Sequence, residues 1–179
     1  MAHKTVLTLI GQMGAGKSTV AQRLAGRWAA RGWDAVDLDE VIVLQAGAGS
    51  VSEIFAELGE RAFRRLEAEA LAAALAGDRL VIATGGGAPC QPAAMGRILA
   101  AGPCVWLHAP AEVLAQRALA AGGRPLLAEL GVDEAVAFLE GQLQARRPCY
   151  EQATHVVDAT PAPEAVADAI EALLPQQAR

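Results

Sequence analysis

The chain has 179 residues, of which 53% are hydrophobic and 20% charged, and its formal net charge is −5. This length and composition suit one compact domain with a full hydrophobic core. The negative charge argues against nucleic-acid partners, because general affinity for nucleic acid requires a basic protein. No apolar run reaches the length of a membrane span, and the first predicted strand begins at Thr5, which leaves no room for a signal peptide. We therefore expect a cytoplasmic protein without nucleic-acid or membrane partners.

A glycine-rich motif near the N-terminus organises the rest of the chain. It begins at Gly11, reads GQMGAGKS, and fits the pattern G-x-x-x-x-G-K-[S/T] of phosphate-binding loops. The β-branched, apolar stretch Thr5–Ile10 before it predicts a buried strand. After it, Val20, Leu24 and Trp28 recur at helical spacing. A strand, a glycine turn and a helix start are the setting that such a loop needs to bind a nucleotide.

The chemistry of the loop follows from this setting. Glycines allow the backbone to approach phosphates closely, and the N–H groups at the helix start then face the anion. Lys17 is expected to reach the outer phosphates, and the Ser18 hydroxyl is expected to bind Mg²⁺. The alternative is a glycine-rich turn that precedes a helix without binding anything, but all eight positions and both flanks fit the motif.

Strand-like and helix-like segments alternate along the chain, which is the pattern of a parallel sheet with helices on both faces. The remaining predicted strands are 35–36, 80–83, 103–107 and 154–157. The predicted helices after the first span about 40–46, 50–58, 60–76, 92–100, 110–120, 133–147 and 163 onwards, with Gly59 separating two of them. In a sheet of this kind, ligands bind beyond the carboxyl ends of the strands.

Two polar features follow predicted strands directly. Asp37 and Asp39 alternate along an extended stretch, so both carboxylates can point the same way, one to Mg²⁺ and one to a substrate hydroxyl; a helix cap is the alternative. Gly85, Gly86 and Gly87 permit close approach of a ligand to backbone N–H groups, whereas an ordinary turn usually needs fewer glycines. Because no aspartate follows the third strand, we assign the metal role to Asp37.

Four arginines are candidates for binding anions. Arg64 has Glu67 three residues on, a spacing that allows an ion pair to hold the guanidinium, although such pairs are often simply solvated. Arg146 lies near a predicted helix end, where a positive charge is favourable in any case. Arg117 and Arg124 flank a glycine pair that could hinge a closing lid; otherwise they are a surface helix residue and a turn residue.

These motifs, in this order, resemble those of the shikimate kinase family. The resemblance covers about residues 5–158 and rests on GQMGAGKS, DLD, FRRLE (63–67), TGGG, RPLL (124–127) and RRPCY (146–150). It implies an α/β fold of the P-loop, nucleoside-monophosphate-kinase-like type: a three-layer α/β/α sandwich with a central five-stranded parallel sheet. It further implies a single domain over 1–179, with a shikimate-binding helical segment at about 40–65 and a mobile lid at about 117–131.

The resemblance also implies an activity: transfer of the γ-phosphate of ATP to the 3-hydroxyl of shikimate, a step towards chorismate and the aromatic amino acids. Its cofactors would be ATP and Mg²⁺, its partners small molecules alone, and its assembly state a monomer. The implied site residues are Asp39, Lys17 and Arg124 for catalysis; Asp39, Arg64, Gly85, Gly86, Gly87 and Arg146 for the substrate; Gly14, Ala15, Gly16, Lys17, Ser18, Thr19, Arg117 and Arg124 for ATP; and Ser18 and Asp37 for Mg²⁺.

The sequence leaves two other functions open. One is another small-molecule kinase of the P-loop type, acting on gluconate or a nucleoside monophosphate. The other is a kinase-like domain that senses a ligand without catalysis. A pair of arginines suited to a carboxylate favours shikimate, because arginine makes bidentate contacts with carboxylates.

Overall fold

A parallel β-sheet forms the centre of the protein. The computed structural model describes residues 5–121, 127 and 130–174. In these residues the strands are β1 (Val6–Ile10), β2 (Asp34–Asp37), β3 (Leu80–Ala83), β4 (Cys104–His108) and β5 (His155–Asp158). Their order across the sheet is β2-β3-β1-β4-β5, and every neighbouring pair is parallel. The predicted five-stranded parallel sheet is confirmed.

Helices cover both faces of the sheet. They are α1 (Lys17–Trp28), α2 (Leu38–Ala46), α3 (Val51–Leu75), α4 (Ala94–Ala101), α5 (Ala111–Ala121), α6 (Val132–Tyr150) and α7 (Pro163–Leu173). Side chains alternate along each strand, so Leu7 and Leu9 enter one core while Val6 and Ile10 enter the other. The first core contains residues of α1, α5 and α7, and the second contains residues of α2, α3 and α4. The three layers follow from this alternation.

Helix α6 belongs to both cores. Its early residue Leu139 is fully buried in the first core, and its last residue Tyr150 is fully buried in the second. The helix is longer than the predicted 133–147 and continues through Pro148. Because it passes from one face of the sheet to the other, it connects the two halves of the fold.

Gly59 breaks the long helical segment α3, as expected. Its φ of 76° and ψ of 168° are not helical, and a positive φ of this size is one that glycine adopts without strain. The predicted separation into two helices is therefore confirmed, and the second of them contains Arg64.

No single helix in the described part of the chain is both long and apolar enough to cross a membrane, although the bent pair α2 and α3 meets the length and composition test when taken together.

Candidate active site

The phosphate loop lies at the carboxyl end of β1 and begins α1. Gly16 is the residue before the helix and has a φ of 81°, which requires glycine's freedom. The Lys17 ammonium donates hydrogen bonds to the carbonyl oxygens of Gly11 and Gln12, each at 2.8 Å. The first N–H groups of α1 have no partner inside the helix. The loop therefore presents the positive helix end and a lysine at the same place.

Ser18 and Asp37 lie together beside the loop. The Ser18 hydroxyl donates a hydrogen bond to Asp37 Oδ2. A hydroxyl and a carboxylate are oxygen ligands of the kind that Mg²⁺ prefers, and this ion usually keeps several waters and takes substrate phosphates as its other ligands. The described residues contain no group of three or more His, Cys, Asp or Glu side chains that could hold a metal. This pair therefore suits a magnesium ion shared with a nucleotide rather than a closed protein cage.

The expected extended arrangement of Asp37 and Asp39 is wrong. Strand β2 ends at Asp37, and Asp39 already lies in the first turn of α2. The reason is a helix cap: Asp37 Oδ1 accepts hydrogen bonds from the backbone N–H of Asp39 at 2.9 Å and of Glu40 at 3.4 Å, which stabilises the helix start. The capping alternative is therefore what the structure has, yet both carboxylates still line one cavity.

The triple glycine makes room for the protein's own charged groups. A β-carbon placed on Gly85 would lie 2.8 Å from Asp39 Oδ1, one on Gly86 would lie 2.9 Å from Arg146 Nη1, and one on Gly87 would lie 2.8 Å from Arg64 Nη1. None of the three glycines has a φ in the left-handed region. Space, rather than backbone conformation, explains why these positions are glycine, and the space brings the two arginines against neighbouring residues.

Arg64 is held from several sides. Its Nη1 donates to Glu67 Oε2 at 2.9 Å, and its Nη2 lies 3.3 Å from Glu60 Oε1. The guanidinium carbon lies 5.9 Å from the ring centre of Phe55 and 5.5 Å from that of Phe63, which is within the range of cation–π attraction. The ion pair expected from the spacing is confirmed, and the two rings add a constraint that spacing alone did not predict.

Glu67 is the buried member of this group. Its side chain is 2% exposed, whereas that of Arg64 is 30% exposed. Burial raises the pKa of Glu67, and the hydrogen bond and charge of Arg64 oppose that rise. Gln91 Nε2 donates a second, longer hydrogen bond to Glu67 Oε2 at 3.4 Å. The buried carboxylate therefore holds a guanidinium that is more exposed than itself.

Arg146 and Tyr150 are four residues apart and so lie on the same face of α6. The Tyr150 hydroxyl donates to the carbonyl oxygen of Gly86 at 2.6 Å. Burial raises the pKa of Tyr150, with the neighbouring Arg146 opposing the rise, so the phenol stays a donor at neutral pH. Tyr150 enters the sequence analysis only as part of the motif RRPCY, and this bond was not predicted.

One cavity of about 920 Å³ joins these groups. Its lining includes the phosphate loop, Asp37, Asp39, the three glycines and both arginines, and it extends to Arg117 and the segment before α7. Arg117 is fixed there by hydrogen bonds of 2.6 Å from its guanidinium to the carbonyl oxygens of Ala159 and Thr160. The cavity is large enough for a drug-sized ligand, and the phosphate loop and both arginines line the same space.

A sequence model of the family described as shikimate kinase matches residues 13–174. The chain belongs to the shikimate kinase family. A shikimate kinase of Paramagnetospirillum magneticum is 42% identical over 154 residues, which are 86% of this chain and 75% of that relative. The family resemblance inferred from the motifs is thus confirmed.

Solved structures of shikimate kinases have the same fold. The enzyme from Bacteroides thetaiotaomicron superposes with a TM-score of 0.87 at 32% identity, covering 94% of this chain and 97% of that one. The enzyme from Acinetobacter baumannii, solved in complex with shikimate, gives a TM-score of 0.84 at 32% identity, covering 95% and 92%. The predicted fold class is confirmed.

Arg124 and most of the expected lid at about 117–131 lie outside the described residues. The roles assigned to Arg124 in catalysis and ATP binding therefore stay predictions. Every other residue assigned to the site lies in the described part of the chain and lines the same cavity.

Proposed function

We propose that this shikimate kinase family member transfers the γ-phosphate of ATP to the 3-hydroxyl of shikimate. The observation that carries the proposal is that a single cavity is lined both by the phosphate loop and by two arginines packed against neighbouring glycines. A small carboxylated polyol needs such a cationic pair, and phosphoryl transfer needs mainly positioning and charge neutralisation.

Residues 14–19 would bind the nucleotide phosphates through backbone N–H groups. Lys17 now bonds to two carbonyl oxygens of the loop, and it would turn from them towards the outer phosphates. Ser18 and Asp37 would hold Mg²⁺, and the family uses ATP with this ion. When bound, the ion would neutralise charge that develops on the phosphates.

Arg64 and Arg146 would bind the carboxylate of shikimate, with Gly85, Gly86 and Gly87 against its ring. Asp39 lies beside the first of these glycines, since a β-carbon on Gly85 would lie 2.8 Å from its Oδ1. Asp39 would accept the proton of the 3-hydroxyl as that oxygen bonds to the γ-phosphorus and ADP leaves.

The remaining proposed roles belong to residues in the outer parts of the site. Arg117 would lie near the adenine, and Arg124 would reach the phosphates from a mobile lid at about 117–131. The segment at about 40–65 would contact shikimate, and 1–179 would act as one domain. We also propose a monomer in the cytoplasm without nucleic-acid partners; light scattering after size-exclusion chromatography tests the monomer, and a dimer mass would contradict it.

A coupled assay of ADP release tests the activity, with shikimate, gluconate and nucleoside monophosphates as alternative acceptors. We expect turnover with shikimate alone. Turnover with another acceptor would indicate a different small-molecule kinase, and calorimetric binding of shikimate without turnover would indicate a sensing domain.

The Asp39→Asn variant tests the proposed base. It keeps the size of the side chain and removes its basicity, so we expect turnover to fall by at least about 100-fold, the lower range for loss of general base catalysis, while ATP still binds. Full activity of this variant would remove Asp39 from its assigned role.

A further inference from the structure

Helix α6 is hydrogen-bonded both to the phosphate loop and to the triple glycine. In the first half of the helix, the carbonyl oxygen of Leu139 accepts a hydrogen bond of 2.7 Å from Gln12 Nε2 of the phosphate loop. At its last residue, Tyr150 donates to the carbonyl oxygen of Gly86 at 2.6 Å. Arg146 lies between these two attachment points on the same helix. The helix is therefore fixed to the end of β1 and to the end of β3, with a substrate-facing arginine in between.

Gln12 has an unusual environment for an amide. The residue is 2% exposed, and its Oε1 has no hydrogen-bond partner among the described residues. An apolar side chain of the same size in place of such an amide can be neutral or stabilising. Stability therefore does not explain this side chain, whereas its donor does, because the donor is what connects the loop to α6.

The backbone of Gln12 contacts the catalytic lysine. Its carbonyl oxygen accepts a hydrogen bond of 2.8 Å from the Lys17 ammonium. One residue thus bonds to Lys17 through its backbone and to α6 through its side chain. Arg146 lies seven residues after Leu139, which is about 10 Å along the helix, so a shift of α6 at Leu139 is carried to Arg146 by a rigid element.

We propose that Gln12 is a positioning residue that sets the distance between the phosphate subsite and Arg146 by holding α6 to the phosphate loop. The inference rests on the proposed function for the identity of the acid. Gln12 itself touches neither ligand; it acts through α6, so its loss affects binding of the acid more than binding of the nucleotide.

The test replaces Gln12 by methionine, which keeps the length of the side chain and removes the donor, and by leucine as a second apolar variant. Gln144→Met is the matched control, because Gln144 is an exposed glutamine on the same helix. Steady-state kinetics with shikimate and with ATP, and thermal unfolding, are measured for all four proteins including the native one.

We expect both Gln12 variants to raise the KM for shikimate by roughly 2- to 12-fold, the range for loss of one neutral hydrogen bond, with the KM for ATP unchanged. Their Tm should equal or exceed that of the native protein, and Gln144→Met should match the native protein in every measurement. An unchanged KM for shikimate overturns the proposal. A rise in both KM values, or a lower Tm, also overturns it, because a purely structural role gives that result.

Hydrogen exchange tests the role of Gln12 independently of the proposed function. If the native protein does not phosphorylate shikimate, the function is wrong, but the position of α6 can still be tested. Amide exchange in residues 143–147 should be faster in the Gln12 variants than in the native protein and in Gln144→Met. Equal exchange rates in all of these proteins would overturn the role of Gln12 whatever the acid is.

Discussion

The Gly86→Ala variant adds a single methyl group beside Arg146, where the carboxylate of shikimate is proposed to bind. The φ of Gly86 lies outside the left-handed region, so alanine is not excluded there by the strain that such a φ would cause. The new β-carbon would lie 2.9 Å from Arg146 Nη1 and no closer than 3.6 Å to the Gly11 carbonyl oxygen and the Tyr150 hydroxyl. The closest contact is the end of a flexible side chain, which can move at little cost to folding. The guanidinium is therefore displaced from the place where it would meet a carboxylate.

The magnitude follows from what the arginine loses. A hydrogen bond to a charged group contributes about 1.5–3 kcal/mol, which is roughly 10- to 150-fold in affinity. Because the guanidinium is displaced rather than removed, we expect the lower end: a KM for shikimate raised about 10-fold, with the KM for ATP unchanged. The ADP-release assay measures both constants, and thermal unfolding should show a Tm close to that of the native protein.

Gly96→Ala is the matched control for this prediction. A β-carbon on Gly96 would meet nothing within 4 Å, and Gly96 lies inside α4, where alanine is preferred to glycine by about 1 kcal/mol. It should raise Tm slightly and leave the kinetics unchanged. A native KM for shikimate in folded Gly86→Ala would refute the reasoning, since Arg146 would then not be a ligand of the acid.

Two further predictions concern the groups behind the arginines. Glu67→Gln removes the charge that holds Arg64 and should therefore raise the KM for shikimate. Burial raises the pKa of Glu67 in the folded state above the ordinary value of 4.5. The stability of the native protein relative to this variant should therefore fall as the pH rises from below 4.5 through the raised pKa. Denaturant unfolding at several pH values checks the sign, and a relative stability that rises with pH would contradict it. Tyr150→Phe removes the hydrogen bond to the Gly86 carbonyl oxygen and should lower the free energy of unfolding by about 1 kcal/mol; urea unfolding measures this, and an unchanged midpoint would mean that the bond adds no stability.

The phosphate loop could be predicted because its determinants are local. The residues from Gly11 to Ser18 contact one another and the ends of β1 and α1, so eight consecutive residues contain most of the relevant information. The alternation of strands and helices along the chain could be predicted for a similar reason, since hydrophobic periodicity is read within short windows. The order of the strands across the sheet was not predicted, because it depends on pairing between distant segments.

The arrangement of Asp37 and Asp39 could not be predicted from alternation. An extended stretch and a capped helix both fit D-L-D, and what decides between them is a carboxylate that accepts two backbone N–H groups of the next turn. Such a cap competes with strand continuation at the same residue. The sequence contained the cap as an alternative, but only the geometry distinguishes the two.

The hydrogen bonds that attach α6 to the phosphate loop and to the triple glycine join residues that are distant in sequence. Gln12 and Leu139 are 127 residues apart, and Tyr150 and Gly86 are 64 apart. Neither bond leaves a signal in a short window. The reason for the triple glycine is hidden in the same way, because the atoms that need its space belong to Asp39, Arg64 and Arg146.

The side-chain charges that line the cavity are too few to balance the two anions of the proposed function. Among the described lining residues, four are cationic (Lys17, Arg64, Arg117 and Arg146) and three are carboxylates (Asp37, Asp39 and Glu67). Glu67 is already paired with Arg64 and Asp37 is bonded to Ser18, so the excess of positive charge is small. A triphosphate together with an organic acid brings more negative charge than this excess can neutralise. The proposed function therefore requires Mg²⁺ at Ser18 and Asp37 and a further cation over the phosphates, which is the role predicted for Arg124.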